Sequence, residues 1–207
     1  MPSEPLLDEY SRLAERYDQR WAHYIHASTR ETLARLSVHE TDRVLDVGCG
    51  TGVLLAELHR RFPGARLVGV DAVPAMLEIA RRRLPSAVEL QRAWAERLPF
   101  AAASFDVVVS NSVFHLLSDP MTALREWTRV LREGGSLVIT DWCGDHLTIR
   151  ILDWYLRRAK PAQVRVYRAQ ELSRLLHQAG YRVESLDRYR ISRWWGLMTA
   201  TATKTGR

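Results

Sequence analysis

Three glycines, Gly48, Gly50 and Gly52, follow an apolar run in the segment VLDVGCGTG at 44–52. This spacing is typical of a strand that turns tightly into a helix, because glycine adopts backbone conformations that other residues avoid and lets a ligand approach the main chain. The first N–H groups of that helix have no partner inside it and can face a ligand. Asp71 ends the next apolar run, about 20 residues later, where dinucleotide-binding folds keep a carboxylate for a ribose diol; capping of the next helix is its alternative role. The pattern predicts a site for an adenosine-bearing cofactor.

Charge and one side chain indicate which adenosine cofactor this site takes. A dinucleotide site holds an anionic pyrophosphate and places Gly or Ala three residues after the second glycine, so that helix and strand pack closely. Val53 occupies that position here. Asp46 precedes the first glycine by two residues, where its carboxylate would repel a pyrophosphate and attract an ammonium or a sulfonium. S-adenosylmethionine carries both cations, so the sequence predicts this cofactor rather than a dinucleotide.

Four features, in this order along the chain, resemble the motifs of class I S-adenosylmethionine-dependent methyltransferases. They are the glycine segment at 44–52, Asp71, the segment AERLPFAAASFDVVVSN at 95–111 and the segment DPMTALREWTRVLREGGSLVI at 119–139. The branch that they resemble is the ubiquinone/menaquinone type of small-molecule methyltransferase, and the likeness covers residues 41–141. It implies a Rossmann-like, doubly wound, mostly parallel sheet of seven strands with an antiparallel last strand. Functions in this class vary widely, so the likeness says little about the acceptor.

The resemblance also implies cofactor contacts beyond the glycines. In the family, the residue after the ribose carboxylate and a following methionine line the adenine, which gives Ala72 and Met76 here; a core position for Met76 stays open. The carbonyl group of Ser110 matches the position that meets the methionyl amine, and Asn111 would share that role. Cys49 is a residue of the glycine loop in this interpretation, and not a nucleophile.

One position departs from the family pattern. An Asp or Asn commonly reaches the adenine amino group from the position that Trp94 occupies in this chain. That hydrogen bond must then come from the backbone near Ala95 or from Glu96, or be replaced by ring contact with Trp94. A place for Trp94 in the core is the alternative.

Methyl transfer needs few acid–base groups, because the sulfonium is already a good leaving group and alignment supplies much of the rate. A base matters only where the acceptor holds its proton. His115 matches a histidine that is frequent after the fourth strand in the family, and Asp141 lies past the fifth strand, at the edge where α/β sites form. We predict both as catalytic residues, with a structural histidine as the alternative for His115. Tyr17 would close over the cofactor with its ring toward the sulfonium, and we predict no metal, since no paired carboxylates have a suitable spacing.

Periodicity indicates which elements position these residues. Apolar runs predict five strands, and amphipathic spacings predict helices between them; the strands lie at 43–47, 67–70, 88–91, 105–110 and 136–140, and the helices at 52–62, 74–84, 146–160 and 169–179. One or two helices are predicted within 6–36, another from Asp119 to the pair Gly134 and Gly135, and a hairpin at 181–189 and 195–202. Strands that alternate with helices require parallel pairing with right-handed crossovers, which predicts an α/β fold.

The chain of 207 residues, 46% of them hydrophobic, can bury one substantial core. We predict one domain over 1–207, made of an N-terminal helical cap at 1–40, a cofactor-binding core at 41–141, a lid segment at 142–168, and a C-terminal helix and hairpin at 169–207. No apolar run approaches the roughly 18–20 residues of a membrane span, and no basic apolar leader opens the sequence. The 2 cysteines support no disulfide framework. These features predict a cytoplasmic protein.

The net charge of +6 comes from the C-terminal part of the chain. Residues 148–207 hold 13 Lys and Arg against 4 Asp and Glu, whereas residues 1–147 hold 17 against 20. A solvated basic face is one interpretation, and attraction of an anionic small molecule, a nucleic acid or a membrane surface is the other.

These observations predict an enzyme that transfers a methyl group to an O, N or C atom of a small-molecule acceptor, with an anionic acceptor favoured by the charge. A tRNA or rRNA methyltransferase that uses the basic C-terminal face is one alternative. Enzymes that methylate base amines carry an Asn/Asp-Pro-Pro-aromatic run after the fourth strand, which residues 110–113 lack. A non-catalytic module that binds S-adenosylmethionine is the second alternative. The sequence does not indicate an oligomeric state.

Overall fold

The computed structural model describes residues 4–159 and 165–206. Seven strands are described: β1 (Arg43–Val47), β2 (Arg66–Asp71), β3 (Glu89–Arg92), β4 (Phe105–Asn111), β5 (Leu131–Trp142), β6 (Tyr181–Arg190) and β7 (Gly196–Lys204). They form one sheet in the order β3-β2-β1-β4-β5-β7-β6. The pairs from β3 to β5 are parallel, and β7 is antiparallel to both β5 and β6. The predicted α/β fold, a doubly wound sheet with an antiparallel last strand, is confirmed.

Helices cover both faces of this sheet. In the described residues they are α1 (Glu4–Leu33), α2 (Val53–Arg61), α3 (Pro74–Arg83), α4 (Pro120–Val130), α5 (Leu147–Ala159) and α6 (Ala169–Gln178). Successive side chains of a strand point to opposite faces. Accordingly, Leu45 of β1 packs in a cluster with residues of α4 and α6, whereas its neighbour Val44 packs with residues of α2 and α3. The core therefore has two layers, one on each side of the sheet.

Helix α1 is one run of 30 residues with a bend at Trp21, whose backbone angles (φ −115°, ψ 17°) are not helical. Before the bend, Ala14 packs against Met76 of α3. After the bend, the Thr32 hydroxyl donates to the Thr140 hydroxyl of β5 at 2.8 Å. The predicted one or two N-terminal helices are thus two halves of one bent helix, which joins the α3 side of the sheet to β5.

Helix α4 ends earlier than the sequence predicts. The pair Gly134 and Gly135 does not close it, because the helix stops at Val130. Leu131 is fully buried and already pairs with Phe105 of β4. The register of the two strands then shifts, and Gly134 has a φ of +68° within β5. The glycine pair therefore belongs to an irregular stretch of β5.

The C-terminal helices α5 and α6 lie within the predicted ranges. Residues 160–164, where the predicted lid helix ends, lie outside the described residues. In the part of the chain that is described, no helix is both long and apolar enough to cross a membrane. The division of the chain into cap, core and lid stays a prediction.

Candidate active site

A cavity opens at the carboxyl ends of β1, β2 and β4, the edge where α/β sheets bind ligands. It has about 1120 Å³ of empty space, including the part open to solvent. Eleven of the fourteen predicted cofactor residues line it: Tyr17, Asp46, Gly48, Cys49, Gly50, Asp71, Ala72, Met76, Ala95, Glu96 and Asn111. We call this space the first cavity.

The three glycines of the loop serve different purposes. A Cβ on Gly48 would lie 2.3 Å from the Val113 side chain, and a Cβ on Gly52 would lie 2.8 Å from the Leu84 side chain. Gly52 does not line the first cavity, and its lack of a side chain allows α2 to pack closely against α3. A Cβ on Gly50, in contrast, would meet nothing within 4 Å. Since Gly50 also has a φ of +53° and lines the first cavity, this glycine leaves the main chain open to a ligand.

The Asp71 carboxylate is hydrogen-bonded to the backbone through both of its oxygens. Its Oδ1 atom accepts the N–H of Val73 at 2.8 Å, next to the start of α3, and its Oδ2 atom accepts the N–H of Gly50 at 2.9 Å. Burial raises the pKa of this carboxyl, and the backbone donors oppose the rise. Each carboxylate oxygen has two acceptor sites, so capacity for ribose hydroxyls is left on both. Asp71 therefore fixes the glycine loop and lines the cavity with the same carboxylate.

One oxygen of the buried Asp46 side chain lacks a hydrogen-bond donor in the described part of the chain. Its side chain lines the first cavity, the residue is 2% exposed, and its Oδ1 atom has no hydrogen-bond partner among the described residues. Burial, followed by the charge of Asp71, raises the pKa of Asp46 to about 8. An unpartnered buried acceptor is costly, and a cationic ligand group would supply the missing partner. The ammonium of S-adenosylmethionine fits this requirement.

Two helices contribute large side chains to the wall of the first cavity. Met76 of α3 is 2% exposed and packs with Ala14, yet it also lines the first cavity, so the core and adenine interpretations are compatible. Tyr17 of α1 also lines the first cavity, and its closing over the cofactor stays a prediction. Burial, with smaller effects of Asp71 and Asp18, raises the pKa of Tyr17 to about 12, which keeps its hydroxyl neutral at ordinary pH.

Two other predicted residues do not line the first cavity. Trp94 is absent from both its lining and the buried core; its carbonyl accepts the N–H of Arg97 at 3.0 Å in a turn. Ala95 and Glu96, the alternatives to Trp94 for a hydrogen bond to the adenine amino group, do line the cavity. Ser110 is fully buried, and its hydroxyl donates to the Val47 carbonyl at 3.1 Å. The Ser110 side chain thus ties β4 to β1 beneath the site.

A second cavity adjoins the first and has about 950 Å³ of empty space, including its open part. Six residues line both cavities: Leu6, Tyr10, Tyr17, Tyr24, Ser112 and Leu116. Aromatic rings dominate the second lining, with Trp21, Trp142 and Trp195 beside the three tyrosines, and Leu152 and Leu156 of α5 complete one side. Ligands in the two cavities would share one wall.

His115 lines the second cavity and is held by Asp141. The Nδ1 atom of His115 lies 2.7 Å from Oδ1 of Asp141, and the backbone N–H of His115 donates to Oδ2 at 3.0 Å. The backbone N–H of Trp142 donates to Oδ1 at 2.6 Å, and the Trp142 ring stacks on the imidazole at 4.1 Å and 12°. With Nδ1–H donating to the carboxylate, a neutral imidazole keeps Nε2 as an acceptor. The sequence thus predicts two residues that the fold brings into contact.

A chain of hydrogen bonds that the sequence did not indicate crosses the shared wall. The indole N–H of Trp142 donates to the Tyr24 hydroxyl at 2.9 Å, and the Tyr24 and Ser112 hydroxyls are 2.8 Å apart. The Ser112 hydroxyl donates to Oδ1 of Asn111 at 3.1 Å. Tyr24 continues the helical spacing of Tyr17 and could have been found in that way, whereas Ser112 and Trp142 carry no comparable signal.

The predicted attraction of an anion gains no support from the second cavity, because no Lys or Arg occurs in its described lining. The Arg158 guanidinium lies 4.0 Å from the ring centroid of Trp154, and that of Arg165 lies 4.9 Å from the ring centroid of Tyr167. The Arg157 side chain and Lys160 lie outside the described residues. Among the residues described, no group of three or more His, Cys, Asp or Glu could hold a metal ion.

Comparison with known proteins agrees with this geometry. Residues 45–139 match the family described as a methyltransferase domain. This chain contains a class I methyltransferase domain. The cofactor of such a domain is S-adenosylmethionine, and solved S-adenosylmethionine-dependent methyltransferases share the fold.

Three similar proteins illustrate the relationship. An O-methyltransferase of Penicillium expansum, cnsE, is 39% identical over 163 residues, which are 75% of this chain and 57% of that protein. A demethylmenaquinone methyltransferase of Deinococcus radiodurans is 38% identical over 116 residues, or 55% of this chain and 48% of that protein, in agreement with the predicted branch. A methyltransferase of Haloferax volcanii, solved with the Trm112 methyltransferase activator, matches with a TM-score of 0.85 and 21% identity over 96% of this chain and 98% of that one. The chain spans about half the length of the curated relatives that it matches.

Proposed function

We propose that this methyltransferase domain transfers a methyl group from S-adenosylmethionine, held in the first cavity, to a small molecule held in the second. The observation that carries the proposal is the shared wall, since Tyr10, Tyr17 and Ser112 line both cavities. Bound S-adenosylmethionine supplies a methyl group on a sulfonium, which is a good leaving group. Close alignment of the two ligands then supplies much of the rate.

The two buried carboxylates would hold different parts of the cofactor. Asp71, with acceptor capacity left on both oxygens, would bind the ribose hydroxyls. Asp46, whose Oδ1 atom lacks a donor, would bind the ammonium. The residues that would contact the adenine all line the first cavity: Ala72, Met76, Ala95 and Glu96.

His115 would act as the general base and Asp141 as the residue that positions it. The Nε2 atom of His115 would take the proton of an acceptor that reacts only after losing it, and Asp141 would stabilise the imidazolium through the 2.7 Å contact. The proposed role of Asp141 is thus orientation, without contact to the acceptor.

The lining of the second cavity favours an acceptor with apolar or aromatic surface over an anion. Burying an anion without a cationic partner is costly, whereas the Trp and Tyr rings offer stacking surfaces. The name of one relative gives an oxygen atom as the acceptor and that of another gives demethylmenaquinone, so the acceptor atom is not carried over from them. A nucleic-acid substrate stays an alternative, and a cytoplasmic location stays a prediction.

Calorimetry with S-adenosylhomocysteine tests the cofactor assignment. The Asp71→Ala variant should bind at least about tenfold more weakly, because hydrogen bonds to a charged group contribute about 1.5–3 kcal/mol each. Asp187→Ala is the matched control. Asp187 is an exposed carboxylate of β6 that pairs with Arg35, and it lines neither cavity. NADH binding, or unchanged affinity in Asp71→Ala, would contradict the proposal.

A further inference from the structure

Helix α5 exposes most of the large apolar surface of the described chain. Four of its side chains are 58–63% exposed: Leu147, Ile151, Trp154 and Tyr155. Their spacing of four, three and one residues places them on one face of a helix. The other large apolar side chain that is exposed in the described residues is Trp194, at 72%. We call the four α5 residues the outer stripe.

The opposite face of α5 is also apolar. Ile149 is fully buried, and Leu152 and Leu156 line the second cavity. A helix that is apolar on both faces is normally covered on both. Trp194 lies next to Trp195, which lines the same cavity, so this exposed ring and the outer stripe belong to elements that enclose the second cavity. No described part of the chain therefore covers the outer stripe, although its helix is part of the site.

The charges beside the outer stripe are positive. Arg150 is exposed on α5, and the Arg158 guanidinium lies over the Trp154 ring at 4.0 Å. Asp153, the acidic residue of this helix, has its Oδ1 atom buried. A second copy of the chain on this face would bring these arginines against each other, and like charges oppose such contact.

The size of the outer stripe also argues against a protein partner. Helix α5 has 13 residues, which gives a length of about 20 Å, and a helix is about 10 Å wide. A stable protein interface buries about 800 Å² on each partner, several times this area. Helices with Trp, Leu or Phe on one side and Lys or Arg beside it are typical of membrane surfaces, where the apolar face enters the boundary between headgroups and acyl chains.

We propose that the outer stripe of α5 docks on an anionic lipid surface. Trp154, Ile151 and Leu147 enter the acyl boundary, and Arg150 and Arg158 pair with lipid phosphates. Because the inner face of the same helix lines the second cavity, docking brings that cavity close to the lipid. The helix lies on the membrane surface and does not cross it.

Vesicle co-sedimentation of the full chain tests this proposal. We expect the bound fraction to be at least about fivefold higher on vesicles with 30% phosphatidylglycerol than on pure phosphatidylcholine, and to fall at about 0.5 M salt because screening weakens the arginine contacts. Ile151→Glu should lower vesicle affinity at least about tenfold, since burial of a large apolar side chain is lost. Ala102→Glu makes the same charge change in an exposed loop and should bind as the unmodified chain does.

The same samples show whether the variant is folded and whether a second copy of the chain covers the outer stripe. S-adenosylhomocysteine affinity and melting temperature should be unchanged in Ile151→Glu, because Ile151 lines neither cavity. Equal binding to both vesicle types, or full binding by Ile151→Glu, would overturn the proposal. Sedimentation velocity is a further test. A dimer that Ile151→Glu abolishes would show that a second copy covers this face, and this result would also overturn the proposal.

Discussion

The buried carboxylate of Asp46 couples the stability of the ligand-free protein to pH. Its pKa is raised to about 8 from an ordinary value of 3.8, so between about pH 4 and 8 the folded protein holds a proton that the unfolded chain has lost. The free energy of unfolding should therefore fall as pH rises through this window, by up to about 1.4 kcal/mol per pH unit. Asp46→Asn cannot ionise. Denaturation with urea at several pH values should show that the free energy of unfolding falls less steeply with pH in this variant. The same pH dependence as in the unmodified chain would contradict the assignment.

Replacement of His115 distinguishes a catalytic base from a structural histidine. For an acceptor that the unmodified chain methylates, His115→Ala should slow the chemical step about 10²–10⁴-fold, measured in a single turnover, with S-adenosylhomocysteine affinity nearly unchanged. His177→Ala, an exposed histidine of α6, is the control. A structural histidine would instead lower the melting temperature without a selective loss of turnover.

At the scale of elements, hydrophobic periodicity was enough to predict β1, whose bounds are confirmed, and the positions of α2, α3 and β4 to within about two residues. The end of α4 was not predictable in this way, because Leu131 fits both an apolar helix stripe and a buried strand. Pairing with Phe105, which decides between them, is a long-range contact.

Some residues of the candidate site were predictable from local sequence pattern, and others were not. Asp46, Gly50 and Asp71 are adjacent to strand ends, where local pattern is informative, and they line the first cavity. Trp195 reaches the second cavity from the β6–β7 connection, and only the folded sheet brings it to Tyr24, with ring centroids 5.0 Å apart. Residues that meet through tertiary packing alone leave no periodic signal.

The glycine loop offers a test with a matched control in another element. Gly50 and Gly134 both have a positive φ, and a Cβ on either would meet nothing within 4 Å. Valine at either position should cost a similar strain of about 1–3 kcal/mol. Only Gly50→Val should lose S-adenosylhomocysteine binding, since Gly50 lines the first cavity. Calorimetry and thermal melting of both variants check this, and normal binding by Gly50→Val would contradict the loop assignment.

For the whole molecule, salt dependence distinguishes the partners considered for the basic C-terminal part. We expect the KM for a soluble acceptor to change less than about twofold between 0.05 and 0.5 M salt, because no cation occurs in the described lining of the second cavity and exposed charges are screened beyond about 10 Å at 0.1 M salt. A KM that rises with salt would favour an anionic acceptor. A steep log-linear fall in RNA affinity with salt would favour the nucleic-acid alternative.

Helix α1 supplies part of the wall of both cavities, through Leu6, Tyr10, Tyr17 and Tyr24. Because Leu6, Tyr10 and Tyr17 all precede the bend at Trp21, a movement of that half of α1 would open both cavities together. The bend at Trp21 divides the half of α1 that packs on α3 from the half that is bonded to β5, so it is the natural hinge. Multiple-turnover rates would then be set by the opening of this helix, as release steps limit many enzymes, and the two products would depart in a single event.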